Sequence, residues 1–163
     1  MSDIYVREAK PEDLEEIMRL SIASAEENNI SDPDVNLLED EVRAGVARSG
    51  GVIGVIGGAP GTRLEAIIIL RLGALWYNAE PIIQDNVIFV DPEFRAIKGG
   101  RARKLVEWAK VTAEKLGIPL AIGVLSNIRT EAKIRLFERV LGPPAGVYFL
   151  HNAKTGFSDV KEG

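Results

Sequence analysis

The stretch Asn86–Ala109, NVIFVDPEFRAIKGGRARKLVEWA, constrains this chain more than any other. An apolar β-type run ends at Val90. Pro92 and the pair Gly99-Gly100 then break the chain, and a helix is expected to open near Arg101. A strand that feeds a glycine turn and a helix N-terminus can cradle a phosphate. Glycine lets the backbone approach a ligand, the first helical N–H groups have no partner of their own, and the helix dipole favours an anion there. Arg95, Lys98, Arg101, Arg103 and Lys104 crowd this turn, and no acidic residue lies between Arg95 and Lys104. The segment suits a polyanion such as a pyrophosphate.

The rest of the composition narrows the function classes. At 163 residues the chain fits one domain with a real core. A net charge of −4 argues against bulk nucleic-acid binding. The charge is uneven, with an acidic first fifty residues and a basic turn at 95–104. Cys is absent, which excludes disulfides, Cys-ligated metals and an acyl-thioester intermediate on the protein. His151 is the single histidine, so no His-rich metal site is expected. The start of the chain shows no secretory h-region, and runs such as AIIIL (66–70) are strand-length rather than membrane-spanning. The expectation is a cytoplasmic protein with no membrane segment and no metal.

Periodicity predicts the elements in the order β-α-α-β-β-β-α-β-α-β. Strands are expected at Ile4–Val6, Val52–Ile56, Glu65–Leu72, Asp85–Val90, Leu120–Leu125 and Val147–Leu150, with irregular or strand structure around Trp76 and Tyr77. Pro81 is expected to interrupt the chain between them. Helices are expected at about 11–27, 35–48 and 101–116, with a last one capped by Thr130 and turning Ile134, Phe137 and Leu141 inward. Val35 and Val42 should face inward on the second helix. The continuous Ile/Leu run of the third strand predicts burial on both faces. This order implies a mixed α/β sheet in a single domain over 1–152, followed by a polar tail over 153–163.

Six strings in order carry a resemblance: GVIGVIG (51–57), IILRLGALWY (68–77), VDPEFR (90–95), ARKLVEWAK (102–110), VLSNIRTEAKIRLF (124–137) and GVYFLHN (146–152). The chain resembles the GNAT superfamily of N-acetyltransferases, and is similar to a small subgroup common in phages and prophages. The resemblance spans roughly Ile4 to Asn152. It implies an α+β domain whose mixed, mostly antiparallel sheet has a splayed parallel strand pair and flanking helices. It also implies acetyl-CoA as co-substrate and direct acetyl transfer, in a ternary complex, to a small-molecule or peptide amine.

Site residues follow from the same resemblance. The pyrophosphate loop maps to Arg95, Lys98, Gly99, Gly100, Arg101 and Ala102. The register is open: counting from Arg95 puts Lys98 and Gly100 at the two glycine positions, whereas counting back from Ala102 uses Gly100 and Ala102. The backbone of Ile88, Phe89 and Val90 would pair with the pantetheine arm and polarise the acetyl carbonyl. Asn127 would hydrogen-bond that arm. Tyr77 and Asp85 bracket the expected acceptor cleft as candidate bases, with Glu65 and Tyr148 as further candidates. Phe137 stands where many relatives carry a tyrosine that protonates the departing thiolate, and it has no proton to give. A non-catalytic acyl-CoA-binding or regulatory module is therefore the alternative. The final strand and Trp76–Tyr77 could support a homodimer. The P-loop, the dinucleotide fingerprint and the nucleophile elbow are all absent from the sequence.

Overall fold

The run LEAIIILRLGA forms β3 (Leu64–Ala74), the middle strand of a five-stranded sheet. The computed structural model describes residues 3–126 and 128–152; Asn127 and the tail 153–163 lie outside the described residues. β3 pairs antiparallel with β2 (Gly51–Gly57) on one side and β4 (Pro81–Val90) on the other. The edges are β1 (Arg7–Glu8), antiparallel to β2, and β5 (Leu120–Ala121), parallel to β4. The mixed, mostly antiparallel sheet with one parallel pair is the expected architecture.

Burial on both faces of β3 organises two cores. Ile67 and Ile69 pack with Val55, Phe89, Ile17, Leu20 and Val42 under α1 (Leu14–Asn28) and α2 (Val35–Val46). Ala66, Ile68 and Leu70 pack with Leu105, Ala109 and Ala113 of α4 (Arg101–Leu116) on the opposite face. Successive strand residues point to opposite faces, so an unbroken Ile run is stable only when both faces are covered. The helix over 101–116 has the bounds its periodicity gives.

Two buried carboxylates lock the ends of the sheet. Asp13 is fully buried and accepts two bonds from Arg7, 2.7 Å from Nη1 and 2.9 Å from Nη2, plus the N–H groups of Lys10 and Gly61. Asp91 is almost as buried; it accepts from Arg19 at 2.8 Å and Arg63 at 3.2 Å, and its Oδ1 caps α3 (Pro92–Arg95) through the Glu93 N–H. Arg19 also pairs with Glu16 and donates to the Leu64 carbonyl. That network fixes α1 against the end of β4, where the glycine turn begins.

Several elements depart from the sequence reading. The first strand is Arg7–Glu8, not Ile4–Val6; Ile4 and Val6 instead pack on the α4 core. Pro81 does not interrupt the chain but begins β4, a position where its missing N–H breaks no interior ladder bond. Val35 is exposed. β5 stops after Ala121 rather than running to Leu125. Val147–Leu150 is not a strand, and all four side chains are exposed, because the sheet edge beside it ends too early to supply a ladder. The last helix, α5 (Thr130–Leu141), buries no residue fully; Ile134 and Leu141 are exposed and Phe137 is half-buried. Its N-cap is Arg129 at φ 53°, and Thr130 is the first helical residue. Among the described residues no helix is long and apolar enough to cross a membrane, and no group of His, Cys, Asp or Glu could hold a metal.

Candidate active site

The glycine turn separates into two residues with different duties. Gly99 has φ 146°, and a Cβ there would lie 2.2 Å from Ile4 Cδ1. It is required by packing. Gly100 has φ 59° and is the N-cap of α4, with no side chain capping the helix. A Cβ on Gly100 would meet nothing nearer than Arg103 Cβ at 4.0 Å. The space in front of Gly100 is open, and the first N–H groups of α4 face it without a capping oxygen. Such a concavity is suited to an anion.

The basic residues of the turn also divide. Arg101 is buried, pairs with Glu65 at 2.7 Å and stacks over the Phe94 ring. Arg95 donates to the Val90 carbonyl at 2.9 Å, pairs with Glu27 at 2.6 Å and lies over Phe89. Arg103 pairs with Glu107 on its own helix. These three guanidinium groups are engaged within the protein. Lys98 and Lys104 carry no ion pair among the described residues, which leaves them as the cations available to a polyanion. Ala102 occupies the first turn of α4. Glu65, a base candidate from the sequence, is committed to Arg101.

A second feature sits at the parallel pair. Only Ile83↔Leu120 and Gln84↔Ala121 are in register, and the ladder stops there. Beyond Gln84, the β5-facing edge of β4, including Ile88, Phe89 and Val90, has no strand partner. β4 also carries a bulge: Ile69 pairs with Val87 and Leu70 with Asp85, so Asn86 is an extra residue without a β3 partner. A bulge re-aims neighbouring side chains and frees backbone groups.

Asp85 stands at the apex of this parting. Its Oδ1 accepts from the Gly123 N–H at 2.8 Å, bridging β4 and the chain after β5. No cation pairs with it among the described residues. Burial pushes its carboxyl up to about 6, against the Gly123 hydrogen bond and its own N–H, which both pull it down. A carboxylate can accept about four hydrogen bonds, so capacity is left for a ligand proton. Tyr148 passes beside Gly123; its Cε2 lies 3.7 Å from where a Gly123 Cβ would stand.

Tyr77 is elsewhere. It lies in the β3–β4 connection, exposed, in an edge-to-face contact with the nearly fully exposed Trp76. The hairpin closes at Ala74↔Pro81, four residues along β4 from Asp85, or about 13 Å at strand rise. The fold thus does not bring Tyr77 and Asp85 together within one chain. Asn127 lies outside the described residues.

Sequence reasoning missed Lys133 and Ser126. The Lys133 ammonium donates to Ser126 Oγ at 2.6 Å across the loop that enters α5. Their separation of seven residues straddles an irregular loop, so no helical or strand period links them.

No protein-family model matches the chain, and no curated protein matches it. Solved structures do. A possible acetyltransferase from Clostridium difficile 630 superposes with a TM-score of 0.69 at 19% identity, covering 92% of this chain and 97% of that one. The fold is that of known acetyltransferases. A second is AAC(6')-Iy in complex with the bisubstrate analog CoA-S-monomethyl-acetylneamine, with TM-score 0.66, 17% identity and coverage of 92% and 98%. A third is a ribosomal-protein-alanine N-acetyltransferase from Brucella melitensis biovar Abortus 2308, with TM-score 0.65, 15% identity and coverage of 91% and 97%. This acetyltransferase fold thus spans nearly the whole of each chain.

Proposed function

We propose that this chain is a GNAT-type N-acetyltransferase that moves the acetyl group of acetyl-CoA directly to an amine in a ternary complex. The observation that carries the reading is the parting of β4 from β5 with a cation-free carboxyl at its apex and an open glycine-capped helix at its end. The residues fit the co-substrate. The α4 N-terminus at Gly100–Ala102, with Lys98 and Lys104, would hold the pyrophosphate. The β5-facing edge at Ile88–Val90, which has no strand partner and whose Val90 carbonyl alone is held by Arg95, would offer backbone groups to the amide-bearing pantetheine arm. Preorganised N–H groups aimed at a carbonyl oxygen stabilise charge that develops there. Asp85 would take the amine proton. A carboxyl near 6 is ionised at neutral pH yet basic enough to serve. Placing amine and thioester side by side supplies further acceleration.

The acceptor class follows from charge. The net charge of −4, concentrated in the acidic first fifty residues, favours a cationic amine. The neighbours that carry a CoA-linked aminoglycoside analog or are named for a ribosomal-protein alanine support amines of either small-molecule or peptide type. Mixing acetyl-CoA with a panel of such amines should release CoA thiol with at least one of them. Phe137 favours a second reading, a non-catalytic acyl-CoA-binding module; binding without thiol release across the panel would select it.

Cofactor binding is separately measurable. Acetyl-CoA should raise Tm through preferential binding to the folded state, and phosphate-free pantetheine should do so far less. Equal shifts from both would remove the pyrophosphate from the glycine turn. Gly100→Val should weaken CoA binding by about 1–3 kcal/mol, the scale of one or two charge-assisted hydrogen bonds. Both variants carry positive-φ strain, but Gly99→Ala adds a clash with Ile4 and should lower stability without weakening CoA binding. Calorimetric titration and thermal melts of the two variants distinguish these outcomes; loss of CoA affinity in neither would overturn the assignment.

A further inference from the structure

Burial stops early along this chain. Among the described residues no apolar side chain beyond Ala113 is buried, although Ile118, Leu120 and Ile122 pack partly against the α4 core. Leu125 and Leu141 are exposed, and so are all four residues of Val147–Leu150, with Tyr148 at 81% and Phe149 at 93%. Single exposed apolar residues are ordinary on a protein surface, whereas a contiguous patch marks a place where something docks.

Geometry makes these residues contiguous. A groove of about 250 Å³ lies at the C-terminal ends of α4 and α5, with Ala113, Ile118, Leu120 and Leu141 on its walls beside Lys110 and Glu114. Lys110 Nζ donates to the Val140 carbonyl at 3.2 Å and ties the two helices there. Leu120 belongs to β5, the last strand of the sheet, whose side away from β4 has no strand partner. Three residues on, Gly123 meets Tyr148, whose Cε2 lies 3.7 Å from where a Gly123 Cβ would stand. The groove, the outer edge of β5 and Val147–Leu150 therefore adjoin one another. The face borders the candidate site, because the Gly123 N–H also holds Asp85.

Charge and area say what fits this face. Positions 116–128 and 140–152 hold no Asp, Glu, Lys or Arg, in a chain that is 27% charged. Exposed sheet edges are usually guarded by such charges against pairing with another chain, and the β5 edge lacks that guard. In a two-fold contact the residues near the axis meet their own copies, so a charge there would repel itself. A net charge of −4 makes copies of this chain repel one another elsewhere. The uncharged face is where they can approach. Tyr148 and Phe149 offer roughly 300–500 Å² of side-chain surface between them. With Val147, Leu150, Leu141 and Leu125 added, the face approaches the ~800 Å² that each partner gives to a standard-size interface.

We propose that two copies of this chain pair through this face, the outer β5 edge and Val147–Leu150 of one covering the same surfaces of the other, with Phe149 as the aromatic anchor. In sedimentation velocity the full chain should show twice its 17.7 kDa mass at micromolar concentration. Phe149→Asp should weaken association by about 100-fold or more, the scale of a lost aromatic hot spot. That variant should keep the wild-type circular dichroism spectrum, since Phe149 makes little contact within its own chain. Independently of any variant, backbone amide exchange in the wild type should slow within 118–125 and 147–150 as the protein is concentrated. Neither measurement needs CoA or an acceptor, so the outcome is separate from that of the acetyl-transfer reading. A wild type that stays at 17.7 kDa overturns the proposal. So does a dimer that Phe149→Asp leaves intact, or one whose concentration-dependent protection lies elsewhere, such as the Trp76–Tyr77 connection. A mass that climbs past the dimer overturns the closed two-fold pairing.

Discussion

Asp85→Asn is expected to lower kcat by about 10²–10⁴-fold, the range general base catalysis contributes, without loss of fold. Asparagine keeps an oxygen that can accept the Gly123 N–H, so the tie across the parted strands survives. What it loses is the ability to take a proton. The wild-type rate should rise with pH through about 6, where the Asp85 carboxyl ionises, and the variant should lose that limb. Stability supplies an independent check. The folded-state pKa of Asp85 is raised above its ordinary 3.8. The stability contributed by the protonated form is thus fully present below that ordinary value and is lost as pH rises through about 6. At neutral pH the ionised carboxyl costs ~1–3 kcal/mol. Asp85→Asn should therefore melt at or above the wild-type temperature near pH 7.5. Thiol release with an accepted amine and thermal melts across pH measure both effects. Unchanged turnover, or lost turnover accompanied by a collapsed Tm, would reduce Asp85 to a structural strut.

Asp13→Asn should produce the largest stability loss. The side chain is fully buried, and Arg7 beside it is mostly buried as well. Removing the charge leaves the Arg7 guanidinium without its bidentate partner, and breaking one side of a buried pair costs about 3–5 kcal/mol. For a domain of this size that corresponds to a fall in Tm of roughly 6–20 °C. Burial pushes the Asp13 carboxyl up, but the Arg7 hydrogen bonds and the Lys10 and Gly61 N–H groups hold it below its ordinary value. Its stabilisation is thus present above the ordinary carboxylate range and is lost as pH falls through the depressed value. The gap between wild type and variant should be full at pH 7 and should close in acid. Denaturant melts at pH 7 and below pH 4 provide the comparison. A gap of less than about 1 kcal/mol at pH 7 would show that the pair is no better than a surface salt bridge.

Much of the site region was legible because its physics is local. The turn at 99–100 needs residues without a Cβ, and α4 carries apolar residues at helical spacing. Asp85 is named from the resemblance, as one of two residues bracketing the expected acceptor cleft. The committed duties of Arg95 and Arg101 could not be read. Both are basic residues in a basic turn by sequence, yet their partners, Glu27 and Glu65, are 68 and 36 positions away. The Lys133–Ser126 pair, only seven residues apart, was hidden for another reason: no helical or strand period links the two positions.

By itself the sequence determined the order of the main elements as far as the last helix, the two-faced central strand and the glycine-capped helix. Each of these depends on neighbours within a few residues, through periodicity, turn chemistry or helix termini. Tertiary structure alone decided where β5 stops, that Asn86 bulges, which cations remain free and which residues stand at the parting of β4 and β5. Those outcomes depend on strand register and on ion pairs closed between distant segments, and a one-residue shift in pairing would change all of them.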